Sequence, residues 1–186
     1  MSSPRPPNVR LARAREILKA ANCNLSPEHR EIVARAGAAF NRGGQFGDSV
    51  MMQMRMIVCN TFERPEDGRT HARVVFEGTV LQEMCNAHNM MHGGCAAFLV
   101  DACTSATLVV QALVAGGAFD LVSQSLNTTF HAGAKLGDKL NVVCITVSSG
   151  KRAVSVRAEI WNTTARRLVA TGSQVKMAPS RSDVKL

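Results

Sequence analysis

The chain has no tyrosine and one tryptophan, Trp161; with seven phenylalanines, aromatics make up 4% of its 186 residues. Proteins that hold single-stranded nucleic acid stack bases on aromatic side chains, so this composition argues against such a partner. The six cysteines (Cys23, Cys59, Cys85, Cys95, Cys103 and Cys144) form no CxxC pair and no zinc-finger spacing. A chain of this length builds a core without disulfides, so they read as reduced thiols of an intracellular protein. No apolar run reaches about 18 residues without polar breaks, so no transmembrane segment is expected. The nearest approach, Cys95 to Ala118, is interrupted by Asp101, Thr104, Ser105, Thr107 and Gln111. No Gly-rich phosphate loop is present. Ser105, His131 and Asp120 could form a Ser–His–Asp set on paper, but no nucleophile-elbow pattern supports it.

Charge is scarce where the chain is most apolar. Between Glu83 and Asp120 there is no Lys or Arg, and Asp101 is the only acid. An unpaired carboxylate in a buried helix costs several kcal/mol or shifts its pKa, a cost usually met at functional sites. A solvent-facing helix position is the bland alternative. The net charge of +8 comes from the ends: residues 135–186 carry ten Lys/Arg against three acids, and residues 37–134 five against eight. A basic surface favours a polyanionic partner.

The periodicity changes along the chain. Met1 to Arg10 is rich in Pro and Ser and predicts disorder. Its Arg-bearing start is compatible with a mitochondrial targeting segment or with a plain arm. Ser26-Pro27 predicts a helix start, running to about Phe40, with Asn41-Arg42-Gly43-Gly44 breaking it. Met51–Thr61 and His71–Leu81 read as strands around an Arg64–Gly68 turn. After a polar loop, His92 or Gly93 opens a long apolar helix that ends before Gly116-Gly117. Leu121–Phe130, Lys139–Ser148, Ala153–Asn162 and Arg167–Met177 then read as four strands, and their short connections predict a meander. The fold class is α+β: an antiparallel sheet wrapped around a long central helix, the only element apolar enough to cover it. Boundaries are expected at 1–48 for an N-terminal arm and helical extension, 49–178 for the main domain and 179–186 for a flexible tail.

Gly93-Gly94 at a helix start leaves backbone N–H groups unshielded at the positive end of the helix dipole, an oxyanion-type site. Eight residues separate Gly93 from Asp101, about 12 Å along a helix axis. One carbonyl cannot touch both. If the two form one site, it is shared across a two-fold homodimer.

The element order and the motif His92-Gly93-Gly94…Asp101 closely resemble the hotdog-fold acyl-CoA thioesterases. The nearest group is that of the phenylacetate-pathway thioesterase and the small mammalian thioesterase-superfamily hydrolases. The resemblance runs from about residue 50 to 178. It includes Asn86, six residues before His92; the run Val122-Ser123-Gln124-Ser125-Leu126-Asn127; and Ala134-Lys135-Leu136-Gly137-Asp138, with Gly133 where Pro is usual. It implies hydrolysis of an acyl-CoA thioester with Asp101 as general base or nucleophile. The Gly93 N–H would polarise the carbonyl, Asn86 and His92 would hold the loop and thioester, and Ser123 would position water. Each has a plainer alternative: His92 as a helix cap, Asn86 as a turn former, Ser123 as an ordinary strand serine.

With coenzyme A as ligand, Gly94, Lys135, Lys151, Arg152, Arg166 and Arg167 become candidate binding residues, the basic ones for its phosphates. No metal or cofactor is called for, coenzyme A being part of the substrate. The expected assembly is a homodimer with shared sites, paired into a dimer of dimers. A cytoplasmic location is expected, with mitochondrial or peroxisomal alternatives; Val184-Lys185-Leu186 only partly matches S-K-L. Rival functions are a hotdog acyl-thioester dehydratase or hydratase, and a non-catalytic acyl-CoA or lipid-binding module.

Overall fold

The computed structural model describes residues 6–40, 43–117, 119–150 and 152–179. Asn41-Arg42, Lys151 and the Val184–Leu186 terminus lie outside these residues, as does the start of the N-terminal arm.

The chain opens with two helices, α1 (Pro7–Ala20) and α2 (Pro27–Phe40), joined through the two-residue strand β1 (Asn22–Cys23). Disorder predicted through Arg10 is therefore replaced by helix from Pro7. Proline tolerates the first helical turn, and the Arg10 and Arg13 guanidinium groups donate to Ala38 O and Met52 O, tying the helix down. Ser26 caps α2 as expected, its hydroxyl accepting from His29 N. A short helix, α3 (Asp48–Gln53), then takes the first residues of the predicted Met51–Thr61 strand; β2 begins only at Arg55 and runs to Arg64. Gly47, with φ 69°, starts this turn of helix, and its Cα faces the Phe98 ring so closely that a side chain there would collide. β3 is Arg69–Thr79.

A single 3-10 turn (Gln82–Met84) and a loop lead into α4, Gly93–Ala115, 23 residues long. Both predicted ends hold: His92 is the N-cap, and Gly116 closes the helix in the left-handed region at φ 70°. α4 is long and apolar enough to cross a membrane, but here it is the core helix, with half of its most apolar stretch buried. Leu99, Val100 and Cys103 are inaccessible beneath it, against Val74, Val142, Cys144, Val156 and Ile160 of the sheet.

β4 (Val122–Phe130), β5 (Lys139–Ser149), β6 (Ala153–Asn162) and β7 (Arg167–Met177) follow. The seven strands lie in the order β1-β2-β3-β5-β6-β7-β4, antiparallel throughout except for β1 on β2. The predicted meander is therefore corrected: β5, β6 and β7 form one, but β4 pairs with β7 at the opposite edge. The connection of residues 131–138 is long enough for this. Crossing three strand spacings takes about 15 Å, and eight extended residues reach roughly 26 Å. It crosses the end of the sheet, anchored by His131 N to Val169 O, Met91 N to Ala134 O and Val80 N to Asp138 O.

One glycine sets how deeply the helix sits. At Gly172 on β7 a Cβ would collide with Val100 Cγ1 and come within 3.1 Å of Asn127 O. Its absence lets α4 settle on the sheet. Asp101, next after Val100, then lies over Gln174, two residues beyond Gly172 on the same strand.

Candidate active site

Gln174 is fully buried, and all four bonding positions of its amide are used. Its Nε2 donates to the Asp101 carboxylate and, at 2.9 Å, to Ser123 Oγ. Its Oε1 accepts from Thr104 Oγ1 at 2.6 Å and Ser105 Oγ at 3.4 Å. A carboxylate can only accept, so the amide nitrogen must face Asp101. The oxygen then faces Thr104, whose single proton goes to it rather than to Val100 O at 2.7 Å. Asp101 is half-buried and Ser123 exposed, so the carboxylate and hydroxyl meet at a place water can reach.

Asp101 and Ser123 are thus brought together within one chain by a residue the sequence reading missed. A signal was available. Ala170, Gly172, Gln174 and Lys176 share one strand parity, and their register partners are Ile160, Ala158, Val156 and Val154, all buried. A glutamine and a lysine on that inward face are out of place unless they serve something.

Lys176 is the cation that no sequence neighbour supplies. It is half-buried, and burial lowers its pKa while the Asp101 carboxylate opposes the shift. Among the described residues it forms no ion pair within 4.0 Å.

The other half of the expected constellation lies at the start of α4. His92 Nδ1 accepts from Gly94 N at 2.9 Å, and His92 N donates to Met84 O at 2.8 Å. His92 therefore caps the helix, and the Gly94 N–H is occupied by that cap. The Gly93 N–H has no hydrogen-bond partner among the described residues, and Gly93 is exposed. Asn86 Oδ1 accepts from His88 N at 2.9 Å and Met90 N at 3.2 Å, so its carboxamide shapes the loop. The loop is docked on the 131–138 crossover by a Met90–Lys135 bridge and by Leu136 N to Asn89 O. α4 is one unbroken helix, so Gly93 and Asp101 stay about 12 Å apart along its axis.

The basic candidates divide into two groups. Lys135 adjoins the Asn86 loop. Arg166 and Arg167 share its end of the sheet, because Asp138 binds both Lys135 N and Asn162 Nδ2 and Lys139 N donates to Thr164 Oγ1. Arg152 precedes the first residue of β6 while Arg166 follows its last, so they stand roughly 30 Å apart at opposite ends. The basic candidates read from the sequence therefore fall at both ends of the sheet, because successive antiparallel turns alternate ends.

Alternative nucleophiles fare poorly. Burial pushes the Cys95 thiol up to about 11 and Cys144 to about 12, and raises Cys103 well above the usual thiol range, so these thiols stay protonated at neutral pH. Ser105 sits at Gln174, whereas His131, bonded to Thr171 Oγ1, lies at the other end of β4 from Asp120. The structure does not assemble a Ser–His–Asp set from them.

Residues 88–169 match the thioesterase superfamily family model. Human acyl-coenzyme A thioesterase 13 is 30% identical over 104 residues, covering 56% of this chain and 71% of that protein. The mouse protein is 27% identical over the same length. Among solved structures, zebrafish thioesterase superfamily member 2 superposes with a TM-score of 0.64 at 22% identity, covering 76% of this chain and 91% of the other. A hypothetical thioesterase from Streptococcus pneumoniae, solved with coenzyme A, superposes at 0.52 with 20% identity over 57% and 78%. The fold shared with these structures is the hotdog.

Proposed function

From the premise that this chain belongs to the thioesterase superfamily and is a thioesterase, we propose that it hydrolyses acyl-CoA thioesters to a carboxylic acid and coenzyme A. The observation that carries the site assignment is the Gln174 amide donating to both the Asp101 carboxylate and the Ser123 hydroxyl. Asp101 is the general base. A water held between Asp101 and Ser123 gives a proton to Asp101 as its oxygen adds to the thioester carbon. The carbonyl oxygen gains negative charge and is stabilised by the Gly93 N–H at the positive end of α4. Collapse breaks the C–S bond, and the departing thiolate takes the proton from Asp101. The reading needs no metal and no cofactor. Asp101 attacking directly would give an acyl-enzyme anhydride instead. Label found in Asp101 after a single turnover in 18O water reports direct attack, with the anhydride opened by water at its aspartyl carbonyl.

The Gly93 donor comes from a second copy. β4 is an edge strand, and Val122, Leu126 and Phe130 on it are 48%, 40% and 57% exposed. Leu126 and Phe130 share the helix-facing side of the sheet with their register partners Gln174 and Ala170, yet α4 leaves them exposed. Apolar edge strands recruit partners. Antiparallel pairing of two β4 strands about a two-fold axis would set the Phe130 end of one, where Gly93 lies, beside the Ser123 end of the other. Lys135, Arg166 and Arg167, at the Gly93 end, are assigned to the coenzyme A phosphates.

Free-thiol release from a panel of acyl-CoAs tests the reading, with Asp101→Asn as control. Thiol release by wild type that disappears in Asp101→Asn supports it. Equal release by both proteins would remove Asp101 from the chemistry.

A further inference from the structure

We propose that the cavity between the N-terminal helices and α4 is the acyl-chain site, so that this thioesterase acts on flexible aliphatic acyl groups and α1 and α2 form the outer wall of its specificity pocket. This inference rests on the thioesterase reading above and adds the substrate class.

The cavity measures about 480 Å³, within the span usual for small-molecule sites. Protein interiors leave few voids larger than a water molecule, so an apolar cavity of this size is more than a packing defect. Its floor is the face of α4 that bears Ala102, Ser105, Ala106 and Val109; its roof is α1 and α2. That floor begins one residue after Asp101. Ser105 both lines the cavity and contacts Gln174 Oε1, and Lys176, two residues beyond Gln174 on β7, also lines it. The cavity therefore adjoins the proposed reaction centre.

The lining identifies the occupant. Met51, Met52, Met54 and Met56 contribute four unbranched, polarizable side chains, which adapt to a chain of variable shape. The phosphates of coenzyme A do not suit it, since among the described residues Lys176 is the one lysine in the wall and Arg10 and Arg13 are bonded to backbone carbonyls. The roof is tied down: Arg15 forms a bidentate pair with Glu31 between α1 and α2, and Arg13 reaches Met52 O in α3. Glu31 is held down to about 2 by its bonds to Arg15 and Arg35, so the clasp persists across neutral pH.

The test is a chain-length series from acetyl-CoA to hexadecanoyl-CoA, run on the full chain and on Ala106→Phe and Ala14→Trp. These fill the cavity from its floor and its roof without touching Asp101, Ser123 or Gln174. Wild-type kcat/KM should rise about three- to four-fold per added methylene, the increment for burying one, until the cavity is full. The filled variants should lose ten-fold or more on dodecanoyl-CoA while acetyl-CoA turnover stays within two-fold. A flat wild-type profile, or filled variants that keep the wild-type length dependence, would overturn the proposal. Calorimetric binding of the non-hydrolysable dodecyl-CoA thioether separates this inference from its premise. If wild type releases no thiol from any substrate, tight thioether binding that Ala106→Phe weakens upholds the cavity while hydrolysis falls. Unweakened binding overturns the cavity assignment as well.

Discussion

Asp101 and Gln174 meet because two separate patterns coincide, an acid in an apolar helix and an amide on the inward parity of a strand. Removing the charge while keeping the shape, Asp101→Asn, should leave a folded protein whose turnover falls by about 100-fold or more, the scale of a lost general base. Thiol release on purified protein with an unchanged melting curve checks this. Gln174→Glu is the sharper probe. It would place a second carboxylate against Asp101, and like charges raise the pKa of the pair. The acid limb of the kcat/KM–pH profile should move to higher pH, with activity depressed near neutrality and recovering in base. An unmoved limb would mean that the amide does not address the group that titrates in catalysis. Asp101 was legible in the sequence because charge is otherwise absent from its helix. Gln174 was not, because one glutamine in an alternating strand stands out only when the parity of that strand is known.

At the scale of elements, the hairpin between β2 and β3 carries its own pH dependence. Asp67 accepts from His71 Nε2 at 2.9 Å and from Arg69 N at 3.0 Å, and the bond from the buried His71 does most to hold its carboxyl below the usual range. A depressed folded pKa contributes stability above the unfolded value, about 3.9, and loses it as pH falls through the folded one. Asp67→Asn should therefore lower Tm at neutral pH and narrow the gap to wild type in acid; a gap constant from pH 2 to 7 would contradict this. The basic turns make a second test. Arg166→Ala with Arg167→Ala should raise KM with kcat little changed, since these groups bind ground and transition states alike. The effect should vanish on a pantetheine thioester, which lacks the nucleotide phosphates. Arg152→Ala, at the far end of β6, should do less; the reverse order would move the nucleotide site. Elements were legible wherever periodicity was clean: the ends of α4 and the bounds of β6 and β7 hold to the residue. The place of β4 was not, since strand order depends on where a helix and an eight-residue crossover deliver the chain, and neither leaves a mark in local periodicity.

For the whole molecule, the proposed mechanism leaves one chain with two half-sites rather than one site. The proposed base, Asp101, and Ser123 lie at the Ser123 end of β4, and the Gly93 N–H, unpartnered among the described residues, lies at the Phe130 end, with α4 keeping Gly93 and Asp101 about 12 Å apart along its axis. Two edge strands running antiparallel would join opposite halves, and the uncovered Leu126 and Phe130 would supply apolar area for the contact. Two inactive variants should then repair each other. Asp101→Asn disables one half. Asn86→Ala disables the other, because the Asn86 carboxamide shapes the loop before the helix start through His88 N and Met90 N. Each homodimer would carry two broken sites. A mixed dimer pairs the wild-type base of the Asn86→Ala chain with the wild-type loop of the Asp101→Asn chain, giving one intact site and one doubly damaged. Subunit exchange to a statistical mixture makes half of the dimers mixed, so activity should return to about a quarter of wild type, with each parent near zero. Differently tagged chains, purified as verified heterodimers, should reach about half. Heterodimers as inactive as their parents would mean that each chain completes its own site, and Gly93 would then have to act on something other than the thioester that Asp101 attacks.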